Sequence, residues 1–378
     1  LVRILKSGKS ENRFDRWGER VKAIVVYVCA QARVLAQPAG LGHFVIFWGF
    51  VVITIGTLDH MFSQIVPGFG LERIIGERAA SAFILLQDVF GVLVIGALVV
   101  AAVRRFIVKP ARLAIDDASA PRQAALILAL IFALIVLMYG VKGTEILGGS
   151  ERLTRGNAPV SFAAARVLRG LGLNLPVANA VFSWGHNLII FFFLLYIPFS
   201  KHIHILGAIP NVLFRNLGAP GTLSRMDFEN ESVEKFGVSE LRDFTWKQLL
   251  DLYSCTECGR CQIACPAHTT KKPLSPFRVI HRLRGQLMHD RGGIAARGGE
   301  ALAAAPIIPA TVTEDEIWAC TTCGACVREC PPFIEHVQKI VDLRRFLVLT
   351  ESRFPAEAQP VFKNMEVNYN PWAIGYSS

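Results

Sequence analysis

Eight of the nine cysteines fall into two copies of one pattern. The first copy is Cys255-Thr-Glu-Cys258-Gly-Arg-Cys261-Gln-Ile-Ala-Cys265-Pro266. The second is Cys320-Thr-Thr-Cys323-Gly-Ala-Cys326-Val-Arg-Glu-Cys330-Pro331. Each reads C-x2-C-x2-C-x3-C-P, a spacing whose thiolates hold [4Fe–4S] clusters. Three closely spaced thiolates on a tight turn reach three corners of one cubane, and the fourth ligates the other cluster. On this pattern Cys255, Cys258, Cys261 and Cys330 hold one cluster, and Cys320, Cys323, Cys326 and Cys265 hold the other. Zinc sites use paired C-x2-C knuckles instead, and disulfides need an oxidising compartment. Two such clusters carry electrons; they change no bond by themselves. Cys29 lies outside both motifs and reads as a small packing residue.

The rest of the chain must position these thiols and connect them to something. Of its 378 residues, 52% are hydrophobic and only 19% charged, which is too apolar for an ordinary soluble protein. Four apolar runs, 41–65, 80–103, 124–141 and 177–199, each come close to the roughly 20 residues a helix needs to cross a bilayer. The net charge of +10 gathers beside these runs, so it reads as membrane topology and not as a nucleic-acid footprint. Basic residues precede the first span and follow the second and fourth, which places those segments in the cytoplasm. The connection beginning at Lys142 then lies outside, and the cysteine-bearing part lies inside, where thiols stay reduced. Residues Phe14 to Leu35 read as an amphipathic helix on the inner membrane face.

Ionisable groups within spans are costly and mark function. His43 and His60 stand near opposite ends of the first span, and His186 and His204 near opposite ends of the fourth. His186 and His204 are 18 residues apart, about five full turns and therefore on one face, whereas His202 is about 160° away. Two antiparallel helices so equipped can hold two b-type haems by bis-imidazole ligation, His43 with His204 for the inner and His60 with His186 for the outer. His43 and His60 are about 100° off a common face in a straight helix, so a bend near Gly49 or Gly56 is required. The competing reading puts terminal histidines at the lipid headgroups. Asp88 reads either as a proton or hydrogen-bonding group beside a quinone or haem ligand, or as a structural partner for another helix.

The two cysteine runs, the four histidines, and the tail Leu343-Arg-Arg-Phe-Leu-Val-Leu-Thr-Glu-Ser-Arg-Phe-Pro355 resemble the membrane-bound iron–sulfur oxidoreductases of the heterodisulfide-reductase-like group. Those proteins join a domain similar to the cytochrome b (gamma) subunit of respiratory nitrate reductase to a two-cluster ferredoxin. Within the group, the likeness is to members linking electron-transfer flavoprotein to menaquinone. The resemblance implies an all-α membrane protein, with a haem-binding transmembrane bundle followed by an α-helical two-[4Fe–4S] ferredoxin domain. It divides the chain into a cytoplasmic segment 1–40, a cytochrome b-like domain 41–205, a linker 206–240, a ferredoxin domain 241–350 and a C-terminal linker 351–378. It also implies a quinone-linked oxidoreductase with a soluble flavoprotein donor and menaquinone as acceptor. The alternatives are menaquinol oxidation for a cytoplasmic disulfide or sulfur reductase, and a membrane anchor that only wires a partner enzyme to the quinone pool. Family members usually continue into cysteine-rich repeats, and no cysteine follows Cys330. Arg278, Arg282, Arg284 and Arg291 form either a docking face for an acidic partner or a solvated face. The stretch Gly292–Ala305 reads as a surface loop.

Overall fold

The computed structural model describes residues 2–66, 68–113, 120–219, 221–231, 233, 235–296 and 305–374. These residues contain no strand, only isolated bridges between Lys9 and Thr245 and between Glu240 and Pro306. The chain divides into two compact units, one formed by Cys29–Ile203 and the other by Leu1–Val28 together with His204–Ser378.

The first unit is built on long apolar helices. These are α1 (Gly40–Ile65), α2 (Glu77–Ala102, prolonged by a wider turn to Val108), α3 (Ala120–Leu147), the shorter α4 (Pro159–Gly170) and α5 (Leu175–Tyr196, prolonged to Phe199). Four of them are long and apolar enough to cross a membrane, and the chain is a membrane protein. Much of their apolar surface faces outward: Phe62, Val100, Leu194 and Leu195 are exposed. Lipid accepts those side chains, whereas water would make them a contiguous sticky surface. The inward faces share a core of Ile53, Val94, Leu98, Ile135, Met138 and Tyr139. Small residues let the helices approach closely. A Cβ at Gly91 would stand 2.3 Å from the Tyr139 hydroxyl, which donates to the Asp88 carbonyl. Helix α5 starts where Asn174 accepts from Val177 N–H at 3.2 Å, with proline in its first turn.

Helix α3 runs six residues past the predicted end of its span. Lys142 and Glu145, assigned from sequence to the following connection, therefore belong to the helix. A charge scan ends the span at the first lysine, but a membrane helix continues through charged residues whose side chains turn into the protein.

In the second unit, α6 (His204–Leu213), α7 (Trp246–Ser254), α8 (Pro276–Ala296) and α9 (His336–Leu349) surround the cysteine loops. Thr245 and Gln248 start α7 with a reciprocal capping box, at 3.2 and 2.9 Å. Leu241, Phe244, Leu249, Leu252, Leu283 and Leu343 are fully buried around it.

The N-terminal residues up to Val28 belong to this unit. Lys9 exchanges backbone hydrogen bonds with Phe244 and Trp246, at 2.9 and 3.0 Å. Arg13 grips Glu335 with two bonds, at 3.1 and 2.8 Å. The Phe14 ring packs 5.2 Å from Phe214. Within the expected Phe14–Leu35 segment the α-helix is broken: Trp17–Ala23 is followed by a wider turn, Ile24–Cys29, and a short helix, Ala32–Leu35. Arg20 is 1% exposed and donates to the Leu213 carbonyl, so the most buried base of the segment serves packing rather than lipid headgroups. The predicted linker is likewise partly structured: α6 occupies its start, and Val238 N–H bonds Asp342 O at 3.0 Å. Helix α8 runs through the first residues of the expected 292–305 loop, while residues 297–304 lie outside the described residues.

Candidate redox site

The two cysteine loops are conformational copies of each other. In the first, Glu257 and Gly259 adopt positive φ (53° and 69°); in the second, Thr322 and Gly324 do so at the same places (55° and 73°). Each loop then opens a single helical turn, Arg260–Ile263 and Ala325–Glu329, that carries the third cysteine. Such reversals turn successive backbone N–H groups toward one concavity, a feature suited to anionic clusters. Thr322 N–H reaches the Cys320 sulfur and Ile334 N–H the Cys330 sulfur, both at 3.4 Å. Bonds of this kind stabilise the more negative, reduced form of a cluster.

The thiols interact across the motifs. Cys330 is within electrostatic reach of Cys255, Cys258 and Cys261. Cys265 stands in the same relation to Cys320 and Cys326. Cys261 also senses Cys326, which brings the two sets close together. Burial pushes the Cys255 and Cys326 thiols up to about 12 and those of Cys261 and Cys330 well above their ordinary range. Thiolates at such positions need the positive charge of iron beside them. Among the described residues no three ligand side chains converge on a single ion. A cubane asks for something different, because each thiolate meets its own iron. The donor set therefore fits two clusters.

An arginine braces each loop at its first cysteine. Arg284 Nη1 donates to Cys255 O at 3.3 Å, and Arg344 Nη2 donates to Cys320 O at 2.6 Å. Arg284 also pairs with Glu257 at 3.2 Å, while Arg344 stacks 5.0 Å from Trp318. This corrects the docking-face reading for part of the arginine group. Arg284 is buried and Arg282 is paired with Glu316, so neither offers a free charge to a partner.

In the membrane unit, His60 and His186 line one cavity with Gly56, Thr57 and Gln87. His186 is 3% exposed. Its Nδ1 lies 3.1 Å from the Leu134 carbonyl and its Nε2 3.0 Å from Thr57 Oγ1. A backbone carbonyl on Nδ1 fixes the tautomer that leaves Nε2 as the metal-binding nitrogen. The donors are of the kind that binds haem iron, and glycine at 56 leaves space beside them. That space holds the Gln87 amide, 2.1 Å from where a Cβ would be, and the cavity measures only about 100 Å³. A porphyrin would require Gln87 and Thr57 to turn aside. His43, also on α1, has Nδ1 3.2 Å from Gln31 Oε1, and His204 opens α6 in the other unit.

Asp88 makes contacts of the kind its structural alternative calls for. It is fully buried and caps α4 from the side: its carboxylate accepts from Val160 N–H at 2.7 Å, Ser161 N–H at 3.2 Å and the Ser161 hydroxyl. A helix start with no cap of its own sequence is satisfied by an acid from a neighbouring helix. Asp88 does not line the cavity; its neighbour Gln87 does. The cavity wall instead includes Lys142 and Glu145, which the sequence reading treated as loop charges. Their i, i+3 spacing on a helix is the signal that could have placed them on one face.

Comparison with known proteins gives these features a lineage. Residues 254–334 match a family described as a 4Fe-4S dicluster domain. The chain is 34% identical over 401 residues to the "Probable iron-sulfur-binding oxidoreductase FadF" of Bacillus subtilis, covering 98% of this chain and 56% of that protein. It is also 34% identical over 397 residues to the "EtfAB:quinone oxidoreductase" of Syntrophomonas wolfei, covering 97% and 54% respectively. Over nearly its whole length the chain is similar to these iron–sulfur oxidoreductases. A "Probable membrane-anchored ferredoxin" of Chromohalobacter salexigens is 37% identical over 171 residues, 39% of this chain and 24% of that protein. The chain spans about half the length of the first two relatives. No solved structure matches it.

Proposed function

We propose that this chain is a membrane electron conduit from a soluble electron-transfer flavoprotein to menaquinone. The observation that supports it best is the cross-grouping of eight thiols, seven of them buried or half-buried, into two sets of four, in a chain that also carries four membrane-length helices. The relative named EtfAB:quinone oxidoreductase points to the same two partner classes. Cys255, Cys258, Cys261 and Cys330 would hold one [4Fe–4S] cluster, and Cys320, Cys323, Cys326 and Cys265 the other. When bound, such clusters supply one-electron carriage without bond changes. The chain's own residues set their poise: backbone N–H groups at Cys320 and Cys330, and the guanidinium groups of Arg284 and Arg344, favour the reduced state. His60 and His186 are the proposed outer b-haem ligands, and His43 and His204 the inner ones. The distribution of basic residues around the spans argues for the cluster unit facing the cytoplasm.

The test is optical and anaerobic, on the detergent-purified protein. Reduced electron-transfer flavoprotein is added while the cluster absorbance and the b-haem α-band are followed, and then a menaquinone analogue is added. Reduction followed by reoxidation is expected. If the flavoprotein leaves the protein oxidised while menaquinol reduces it, electrons flow the other way, toward a disulfide or sulfur-compound reductase. Quinone turnover only in the presence of a partner enzyme would mark the chain as a non-catalytic anchor. Absence of any b-haem band would remove the histidine assignment.

A further inference from the structure

The two cysteine loops differ in charge at the position that meets the bracing arginine. In the first loop Glu257 pairs with Arg284 at 3.2 Å, while Arg284 donates to Cys255 O. Thr322 stands at the corresponding place in the second loop, two residues after its first cysteine and with the same positive φ. Arg344, which braces that loop, therefore meets no acid there. Its guanidinium donates to the carbonyls of Ile317, Trp318 and Cys320 and lies over the Trp318 ring. Among the described residues no carboxylate pairs with Arg344, and the charge within its reach is the Cys320 sulfur. A half-buried guanidinium with no acid beside it finds its counter-ion in the anionic group that Cys320 helps to hold.

Exposure differs in the same direction. Among the eight motif thiols Cys323 is the exposed one, and Cys320 is half-buried. In the first set Cys255, Cys261 and Cys330 are buried and Cys258 is half-buried. Water at an exposed loop favours the more negative, reduced form. One charge acts the other way: Arg260, buried in the first loop, is Ala325 in the second.

We propose that Arg344 serves as the counter-ion of the second cluster, and that its lack of an acid partner makes the set Cys320, Cys323, Cys326 and Cys265 the more easily reduced of the two. The inference rests on both motifs holding [4Fe–4S] clusters. Electrons then come to rest on the second set, and the first set, whose arginine is matched by Glu257, passes them on. Arg344 is a positioning residue that acts through the loop and through its charge. Each reduction step adds one electron to one set, and no bond is made or broken.

The experiment is an anaerobic titration of the full chain with dithionite and mediators, followed by EPR, with iron counted beforehand. The wild type should hold about eight irons and reduce in two one-electron steps at least about tenfold apart, which is about 59 mV. Thr322→Glu gives the second loop the acid that the first carries at the same backbone angle. It should make the upper step about tenfold harder and leave the lower step within about threefold. Glu257→Thr makes the reverse exchange and should ease the lower step about tenfold. Arg344→Met should act as Thr322→Glu does, whereas Arg344→Lys keeps the charge and should stay within about threefold of wild type.

A brace without an electrostatic role predicts that both Arg344 variants lose iron alike and that Thr322→Glu moves neither step; that result overturns the proposal. So does a Thr322→Glu effect on the lower step or a Glu257→Thr effect on the upper one, because Arg260 then outweighs the exchanged acid. Wild-type steps within about threefold of each other overturn it as well. If R344M does not accumulate, the two loop exchanges decide, since both leave the arginine braces in place. A wild-type iron content of about four or fewer defeats the two-cluster reading itself, a result distinct from any shift of the steps.

Discussion

Replacing Asp251 by asparagine should destabilise the cluster unit more than removing the whole charged group around it. Asp251 is 0% exposed and accepts from Lys247 Nζ at 2.7 Å, from Lys339 Nζ and from Glu335 N–H at 3.1 Å. Burial alone would raise its pKa, but the two lysines outweigh that and hold it well below the ordinary carboxylate range. Asp251→Asn leaves two fully buried ammonium groups sharing what remains, a loss of about 3–5 kcal/mol by analogy with broken buried pairs. If that loss falls on the folded state alone, cluster bleaching in denaturant accelerates between about a hundredfold and a few thousandfold. The triple change Asp251→Leu, Lys247→Met, Lys339→Met removes the three fully buried charges of the group. Glu335 keeps Arg13 at 2.8 Å, and loses Lys247 at 3.6 Å and the acceptor for its own N–H. That orphaned donor costs about 1–3 kcal/mol, partly offset by better packing. The measurement is the anaerobic bleaching rate in guanidinium, a rate being the proper quantity where cluster loss is irreversible. Acceleration below about threefold for D251N, or a triple variant faster than the single one, would refute the reasoning.

Three further outcomes are expected. Cys330→Ser should lower iron content by about half and remove the signal of one cluster only, seen by EPR of the reduced protein. His336, fully buried with Nδ1 2.9 Å from Ile334 O, is depressed to about 4 by burial and then by Lys339. A depressed histidine contributes stability above its unfolded pKa near 6.5 and loses it as pH falls toward 4. Cluster retention should therefore weaken across that window by up to about 3 kcal/mol, and His336→Gln should flatten the profile. Asp88→Ala should lower the melting temperature through loss of the α4 cap, about 1–2 kcal/mol, while Asp88→Asn should keep quinone turnover near wild type.

What could be read from the sequence was local. The cysteine runs carry their chemistry in spacing alone, and their fourth members could be assigned across motifs because the pattern includes the exchange. The long helices announced themselves by length and apolarity. What could not be read depends on contacts between distant positions. Arg13 and Glu335 are 322 residues apart and have no shared periodicity, so nothing in the sequence joined the N-terminal segment to the cluster unit. Asp88 had the signature of a functional intramembrane acid, yet its carboxylate caps a helix that starts 71 residues later. Lys142 was misplaced for the opposite reason, because a lysine past a long apolar run looks like the end of a span.

The crossing of each fourth cysteine to the other motif has a consequence for biosynthesis. Cys330 follows Cys255 by 75 residues, so the ribosome delivers it about 4–15 s later at ~5–20 residues per second. Until then the first loop has three of its four thiols, and Cys265 waits for a set that has not been made. Neither ligand set is complete until the second motif has been made, so the loading of both clusters follows its translation. Oxygen exposure during that interval, rather than in the mature protein, is then the vulnerable period for the thiols.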